Sequence, residues 1–176
     1  AAVSEHCRQN SITCIAPTKT FNLAGLQTSA AVVPDPVLRH KVWRALNTDE
    51  VAEPNCFAAE AAVAAFICGG PWLDALRAYL AGNRRQAQAF LSRELPQVRA
   101  VDAEATYLLW LDCGQAAERS EELAAFIRQK TGLYLSAGGV YRGNGNQFLR
   151  MNIACPRSRL LDGLQRLREA VLAYGG

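Results

Sequence analysis

The chain has 176 residues, half of them hydrophobic and a fifth charged, and carries a formal net charge of +3. That length supports one large core or roughly one and a half domains. The small charge, with no stripe of basic residues, argues against nucleic-acid binding. Neither a secretory signal nor an apolar segment long enough to cross a bilayer is recognisable, so the sequence predicts a soluble, cytoplasmic protein with no membrane partner.

The cysteines and histidines predict neither disulfides nor a metal site. The six cysteines are scattered without close pairs, mostly among apolar neighbours. This pattern predicts small buried thiols in a reducing compartment. His6 and His40 are far apart and lie in no cluster with the spacing of metal ligands. The cysteines are Cys7, Cys14, Cys56, Cys68, Cys113 and Cys155.

The first predicted elements lead to a lysine on a turn. Residues 3–9 predict the end of a helix, and a short β-rich run from Ile12 stops at Pro17, which lacks an N–H donor and fixes a bend. Thr18 and Lys19 follow on the turn after the strand, where side chains are held firmly and still reach a cleft. A lone lysine in a loop is more often simply solvated, so position alone leaves both interpretations open.

A short strand and a capped helix come next. The segment 28–33 predicts the strand. Asp35 is a good N-cap and Pro36 a good first helical residue, so the helix is predicted to begin there and to run to about Leu46.

Two further helices follow. Pro54 and Asn55 start the first, whose segment 58–68 is so rich in apolar residues that we expect it to be buried nearly all round. Residues 69–71, Gly-Gly-Pro, end it. A long amphipathic helix over 72–95 is a candidate for an interdomain connector.

After Pro96 the pattern changes to short strands alternating with helices. The order β-β-α-β-β-α predicts a small α/β sandwich with an antiparallel or mixed sheet. One helix is capped by Ser120 and ended by Gly132. The predicted elements are strands over 98–101, 107–111, 133–136 and 148–154, and helices over 120–130 and 157–174.

The strand that begins at Phe148 carries a candidate anion-binding residue. With a period of two, Phe148, Arg150 and Asn152 share one face, so Arg150 points away from the apolar layer. A guanidinium on a rigid strand suits bidentate binding of a carboxylate. The alternative is a structural arginine paired with a nearby acid.

The segment around Lys19 resembles that of a known enzyme family. The string Ile-Ala-Pro-Thr-Lys-Thr-Phe-Asn-Leu-Ala-Gly-Leu, residues 15–26, resembles the cofactor-lysine segment of fold-type I pyridoxal-phosphate enzymes, in the cystathionine β-lyase branch of the class I/II aminotransferases, which includes maltose-regulon-repressor-like members. The resemblance implies that Lys19 binds the cofactor covalently and that Thr18 lies near its phosphate. Many family members have a hydroxyl residue and an arginine on the phosphate where this chain has Ala16 and Gln27.

The loop and strand around Arg150 resemble the small-domain segment of the same branch. The resemblance implies that Arg150 binds the α-carboxylate of an amino acid substrate, with Tyr141 in the substrate site. Arg142 and Gln147 stand where the family usually has glycine, so the loop is expected to differ in shape. The matching residues are Gly138, Tyr141, Gly145, Phe148 and Arg150, followed by Asn-Ile-Ala-Cys-Pro.

Asn55 is a weaker candidate for cofactor binding. Pro54-Asn55 resembles a segment that, in this fold, approaches the cofactor phosphate of the partner subunit. A plain helix N-cap explains the same two residues equally well.

The resemblance covers nearly the whole chain and implies an α/β fold. It implies the C-terminal part of the large pyridoxal-phosphate domain over 1–70, a connecting helix over 71–95 and the small α/β domain over 96–176. The phosphate-binding turn, the aromatic residue on the cofactor ring and the aspartate on its nitrogen, which precede the lysine in family members, are not recognisable in residues 1–18. We therefore expect a C-terminal fragment that is inactive alone and that associates with itself through exposed apolar surface.

For the full-length parent, the resemblance implies a homodimeric carbon–sulfur β-lyase that uses pyridoxal 5'-phosphate. Such an enzyme releases pyruvate, ammonia and a thiol from S-linked cysteine derivatives. An aminotransferase would use the same lysine and arginine, so it remains the first alternative. A non-catalytic regulatory or interaction role is the second.

Overall fold

The computed structural model describes residues 3–175, which divide into two units between Leu76 and Arg77. The division falls inside a long helix, and the three-part division expected from the sequence stays a prediction. The first unit holds α1 (Glu5–Gln9), β1 (Thr13–Ile15), β2 (Ala30–Val32), α2 (Pro36–Thr48), α3 (Ala58–Cys68) and the start of α4 (Gly70–Glu94). The second holds the rest of α4, then β3 (Arg99–Ala100), β4 (Leu108–Asp112), α5 (Ser120–Thr131), β5 (Ser136–Ala137), β6 (Phe148–Asn152) and α6 (Arg157–Tyr174).

Capping residues define the helix starts in the first unit. The sequence had suggested the end of a longer helix over 3–9, but α1 begins at Glu5. The Oγ atom of Ser4 caps it by accepting a hydrogen bond from the N–H of Cys7 at 3.1 Å. The prediction for α2 is confirmed. Asp35 accepts a hydrogen bond from the N–H of Leu38 at 2.6 Å, and Pro36 is the first helical residue.

The first unit has almost no core. Among residues 3–76, only Pro17, Val33 and Ala58 are buried. The predicted end of α3 is confirmed, but the helix begins at Ala58 and not at Pro54-Asn55. Its predicted burial is also wrong, since Phe66 is 55% and Ile67 76% exposed. An apolar composition determines which surface a helix would bury, whereas burial needs a second layer to cover it.

Helices α3 and α4 meet at a bend of 74°. Among the described residues, no single helix is long and apolar enough to cross a membrane. Only the bent pair, taken together, reaches the required length and composition.

The second unit is built on an antiparallel sheet with the strand order β3-β4-β6-β5. One face of the sheet packs against α5 and α6. The alternation predicted for β6 is confirmed, because Leu149 and Met151 are buried on this face whereas Arg150 and Asn152 are not. Burying side chains of this size stabilises a fold by about 1.5–3 kcal/mol each. The side chains of the core include Leu109, Leu111, Leu123, Ile127, Leu149, Leu160, Leu164 and Leu167.

Ser120 does not cap α5. The N-cap position is Arg119, and the buried Oγ atom of Ser120 accepts a hydrogen bond from the N–H of Gly139 at 3.2 Å. Ser120 therefore ties α5 to the loop before β6. The predicted end of α5 is confirmed, because Gly132 adopts a left-handed conformation with φ of 74°.

The predicted burial of the cysteines holds for the second unit only. Cys113 is buried, and burial raises the pKa of its thiol to about 12. Cys155 is half-buried, whereas the other four cysteines are exposed because they lie in the unit that lacks a core. His6 is exposed and His40 stacks on Trp43, and no group of metal-ligating side chains is found among residues 3–175.

We expect the chain to associate with itself through α3, since exposed apolar side chains such as Phe66 and Ile67 favour association. Sedimentation velocity over a range of concentrations should show a rise in mean mass, and Ile67→Lys should weaken that rise. The control is Leu172→Lys on α6, where the wild-type side chain is 48% exposed. A monomer at every concentration would contradict the prediction.

Candidate active site

The predicted cofactor lysine lies on a turn directly after β1. The N–H of Phe21 donates to the carbonyl of Pro17 at 2.9 Å, and the N–H of Leu23 donates to the carbonyl of Thr18 at 2.9 Å. These bonds close the turn around Lys19, whose side chain is exposed, while Thr18 beside it is half-buried. A primary amine and a hydroxyl are thus presented together from a backbone with defined hydrogen bonds.

Phe21 anchors this turn to the corner between α3 and α4. Its ring packs edge-on to Phe66, with 6.0 Å between the ring centroids, and lies 6.2 Å from the ring of Trp72. A Cβ atom added at Gly69 would overlap the Phe21 ring, so the corner needs a glycine there. The turn carrying Lys19 is therefore held by packing as well as by hydrogen bonds.

Asn55 lies in the turn before α3. Its Oδ1 atom accepts a hydrogen bond from the N–H of Phe57 at 2.9 Å, and its carbonyl accepts one from the N–H of Ala58 at 2.9 Å. Phe57 occupies the N-cap position, so Asn55 closes the turn ahead of the helix rather than capping it. Its side chain is exposed, and its cofactor-binding role stays a prediction.

Arg150 lies near the middle of the sheet in the second unit. Trp110 of β4 and Ser136 of β5 are directly opposite it in register, and its Nη2 atom donates a hydrogen bond to Ser136 Oγ at 3.4 Å. Among residues 3–175, no carboxylate forms an ion pair with Arg150. Arg150 is therefore not paired with an acid among the described residues, as the alternative of a structural arginine would require.

An aromatic cluster lies beside Arg150. Its Cζ atom lies 5.0 Å from the centre of the Tyr141 ring, a cation–π distance. Trp110 meets the Tyr141 ring edge-on at 5.6 Å and stacks on Phe148 at 5.3 Å. The structure thus brings together Arg150 and Tyr141. Arg150 is half-buried, and partial burial strengthens the hydrogen bonds that a guanidinium can make.

Close backbone contacts shape the loop that carries Tyr141. The loop consists of two short 3-10 turns, Gly138–Tyr141 and Gly145–Gln147. A Cβ atom at Gly138 would overlap the carbonyl of Gly145, and one at Gly145 would overlap the carbonyl of Gly138. Both glycines of the recognised motif are therefore required by the approach of the two turns.

Arg142 adopts a backbone conformation that normally belongs to glycine. Its φ of 65° and ψ of −166° place it in a region that other residues occupy at a cost of about 1–3 kcal/mol. Its N–H donates to the carbonyl of Gly139 at 3.0 Å, and its carbonyl accepts from the N–H of Gly145 at 3.1 Å. Both bonds hold Arg142 in a conformation that a glycine would adopt without strain. The expected difference in loop shape from other family members stays a prediction.

Gln147, the other departure from glycine, lies at the end of the second turn. Its side chain is exposed, and its carbonyl accepts a hydrogen bond from the N–H of Cys113 at 2.8 Å. Gln147 therefore supports the loop through its backbone and not through its side chain.

Two residues of the second unit were not found from the sequence, one at this site and one in the interior of the unit. Trp110 lies between the buried Leu109 and Leu111, so alternation places it on the open face, but only the register places it opposite Arg150. Asn83 of α4 is fully buried, and its Nδ2 atom donates to the carbonyls of Ile153 at 3.0 Å and Cys155 at 3.1 Å. A polar residue at a core position of an amphipathic helix was the available signal for Asn83.

Known proteins are similar to this chain over nearly all of its length. No family model matches it. It is 40% identical over 171 residues to cystathionine beta-lyase PatB from Bacillus subtilis (strain 168), which covers 97% of this chain and 44% of PatB. It is 30% identical over 157 residues to protein MalY from Escherichia coli (strain K12), covering 89% of this chain and 40% of MalY.

A solved structure shows the same fold. Cystalysin from Treponema denticola, whose crystal structure contains a pyridoxal 5'-phosphate cofactor, matches with a TM-score of 0.89 and 26% identity, over 98% of this chain and 44% of cystalysin.

These similarities place the chain in the fold-type I class of pyridoxal-phosphate enzymes, where it corresponds to the C-terminal part of the architecture shared by aminotransferases and carbon–sulfur lyases. Within that class, its sequence is related to the cystathionine β-lyases. The fold class and the family predicted from the two motifs are thereby confirmed. The chain spans less than half the length of these relatives, 44% in the case of PatB.

We expect Gly145→Ala to destabilise the second unit by about 1–3 kcal/mol, because its methyl group has no room beside Gly138. Near-ultraviolet circular dichroism should report loss of the ordered packing between Tyr141 and Trp110. The matched control is Gly70→Ala, where a Cβ atom meets nothing within 4 Å. Equal stability of the two variants would contradict the predicted close approach.

Replacing Arg142 with glycine should stabilise the second unit by about 1 kcal/mol. The gain is the released backbone strain, reduced by the greater chain entropy that glycine gives the unfolded state. Arg142→Ala retains a Cβ atom and should give no such gain. Denaturant unfolding of the three proteins measures the difference, and an alanine variant as stable as the glycine variant would argue against strain.

Proposed function

We propose that the whole protein to which this chain belongs is a pyridoxal-phosphate-dependent carbon–sulfur β-lyase, which releases pyruvate, ammonia and a thiol from S-linked cysteine derivatives. The observation that carries the proposal is a guanidinium, Arg150, which is held on a rigid strand beside Tyr141 and has no carboxylate partner among the described residues. A free, oriented arginine suits a substrate carboxylate. The sequence relationship to PatB supports the reaction class.

The residues of the first unit fit the cofactor by their chemistry. Lys19 offers an exposed primary amine that can bond to an aldehyde carbon, and the Thr18 hydroxyl beside it can donate to a phosphate oxygen. Asn55, exposed ahead of α3, is a further candidate for the phosphate. When bound, pyridoxal phosphate supplies the electron sink that lets a bond to the substrate's α-carbon break.

Each of the proposed residues has a distinct task. Arg150 binds the substrate α-carboxylate through its N–H groups, while the ring of Tyr141 keeps the guanidinium in place. With the cofactor bound, the Nζ amine of Lys19 would be the group that takes the proton from the substrate α-carbon. Arg150 contributes most to the reaction rate if holding the carboxylate also fixes the position of the α-proton.

The proposal extends to the assembly and location of the whole protein. We infer a homodimer, because the Asn55 segment resembles one that faces a partner's cofactor. We infer a cytoplasmic location, because all six cysteines are free, as is usual in a reducing compartment. An aminotransferase is the alternative reaction, since the same lysine and arginine would serve it, and formation of a keto acid from the intact amino acid would favour it. A purely regulatory role would leave Lys19 and Arg150 without a task.

In the whole protein, Lys19 should react selectively with pyridoxal phosphate. After addition of the cofactor, borohydride reduction and peptide mass mapping should find more label on Lys19 than on Lys41 or Lys130, which are also exposed and serve as internal controls. The matching absorbance band should be lost in Lys19→Ala and kept in Lys41→Ala. Equal labelling of the three lysines would argue against the cofactor role.

Because the chain spans 44% of PatB, we expect it alone to release little or no pyruvate from L-cystathionine. Pyruvate release that depends on Lys19 would show instead that the chain holds a complete site.

A further inference from the structure

We propose that Ser136 is a positioning residue, which holds the Arg150 guanidinium in the orientation that selects a carboxylate over a neutral group. The inference deepens the proposed function and rests on the assignment of Arg150 to the substrate α-carboxylate. Ser136 acts through Arg150 and need not touch the substrate, so its effect is on selectivity for the carboxylate.

The first observation is that the two neighbours of Arg150 in the sheet differ in chemistry. Trp110 on β4 and Ser136 on β5 are both directly opposite Arg150 in register. Side chains opposite each other on antiparallel strands have Cβ atoms about 4.5–5.5 Å apart, so they are within reach of each other. An indole N–H can only donate, whereas a serine hydroxyl can accept from a guanidinium. The polar partner of Arg150 is thus on the β5 side.

The second observation is the contact itself. Arg150 Nη2 donates to Ser136 Oγ at 3.4 Å, and both residues are half-buried. No other hydrogen bond of the Arg150 side chain is found among residues 3–175. The N–H groups of arginine lie in one planar fork, so a bond to Ser136 restricts the orientation of that plane. The other N–H groups stay available to an anion.

The third observation is that one segment supplies two contacts to the guanidinium. Strand β5 runs directly into the 3-10 turn that ends at Tyr141, whose ring lies 5.0 Å from the Arg150 Cζ atom. The segment is itself fixed, because the backbones of Gly138 and Gly145 approach each other closely. A carboxylate accepts two parallel N–H bonds only from a correctly oriented guanidinium plane. Fixing that plane with Ser136 therefore favours a carboxylate over a carboxamide.

A pair of matched ligands tests the inference in the whole protein. L-norvaline has the shape of S-methyl-L-cysteine without its thiolate leaving group, and L-norvalinamide differs from it by a carboxamide in place of the carboxylate. Isothermal titration calorimetry gives the dissociation constant of each ligand, and the ratio of the two constants measures selectivity for the carboxylate. In Ser136→Ala this ratio should fall roughly three- to tenfold, as expected for the loss of one net hydrogen bond.

Variants separate positioning from a general effect on the fold. Ser136→Thr keeps the hydroxyl and should retain most of the wild-type ratio. Ser92→Ala, which removes an exposed hydroxyl from α4, should leave the ratio unchanged. A loss of packing alone would weaken the binding of both ligands alike and would not change the ratio. An equal ratio in wild type and Ser136→Ala would overturn the inference.

The guanidinium itself gives a second measurement, which needs no ligand. In this chain, nitrogen-15 spectra of labelled arginine report how fast the Arg150 guanidinium rotates about its Nε–Cζ bond, with Arg150→Lys to assign the signal. Ser136→Ala should raise that rate roughly threefold or more, because the hydrogen bond to Nη2 hinders rotation. Ser92→Ala should leave it unchanged. An unchanged rate in Ser136→Ala would overturn the positioning role.

The outcomes also distinguish this inference from the proposed function. A ratio that falls to near one in Arg150→Gln but is unchanged in Ser136→Ala would support the carboxylate role of Arg150 and overturn positioning by Ser136. A ratio near one in the wild-type protein would overturn the carboxylate role of Arg150 and this inference together, whereas selective labelling of Lys19 would stand independently.

Discussion

The candidate substrate site depends on one constraint, the two-faced antiparallel sheet of the second unit. Leu109, Leu111, Leu149 and Met151 bury one face against α5 and α6, and this fixes which residues of β4 and β6 face the other way. Because side chains alternate along a strand, a shift of register by one residue would move Arg150 into the leucine core. Packing of the apolar face thus keeps the Arg150 guanidinium on the opposite, open face of the sheet.

The two units differ in how their candidate residues are held. In the second unit, Arg150 is positioned by a sheet and a continuous core. In the first, the turn of Lys19 is held locally, by two backbone hydrogen bonds and by the packing of Phe21 on Gly69. With only three buried residues among 3–76, nothing comparable to the second core supports that turn. The local contacts therefore determine how well the first unit can present its lysine.

Short-range chemistry made much of the fold predictable. The cap at Asp35, the left-handed Gly132 and the apolar periodicity of α6 act over a few residues, and the corresponding helix bounds are confirmed. The motifs around Lys19 and Arg150 likewise identified the family from residues that are close in sequence. Burial was less predictable, because the apolar α3 and its neighbouring cysteines lack a covering layer that no local pattern specifies.

Contacts between distant segments could not be read from the sequence. Ser120 has the spacing of an N-cap, but its hydroxyl bonds to Gly139, 19 residues later, because the loop before β6 folds back onto α5. The pairing of Trp110 with Arg150 depends in the same way on strand register, which only the three-dimensional sheet defines.

Arg142 shows that an arginine can occupy a backbone conformation that normally belongs to glycine. The hydrogen bonds to Gly139 and from Gly145 hold it in that conformation. The strain is therefore stored in the folded loop, at a cost of about 1–3 kcal/mol.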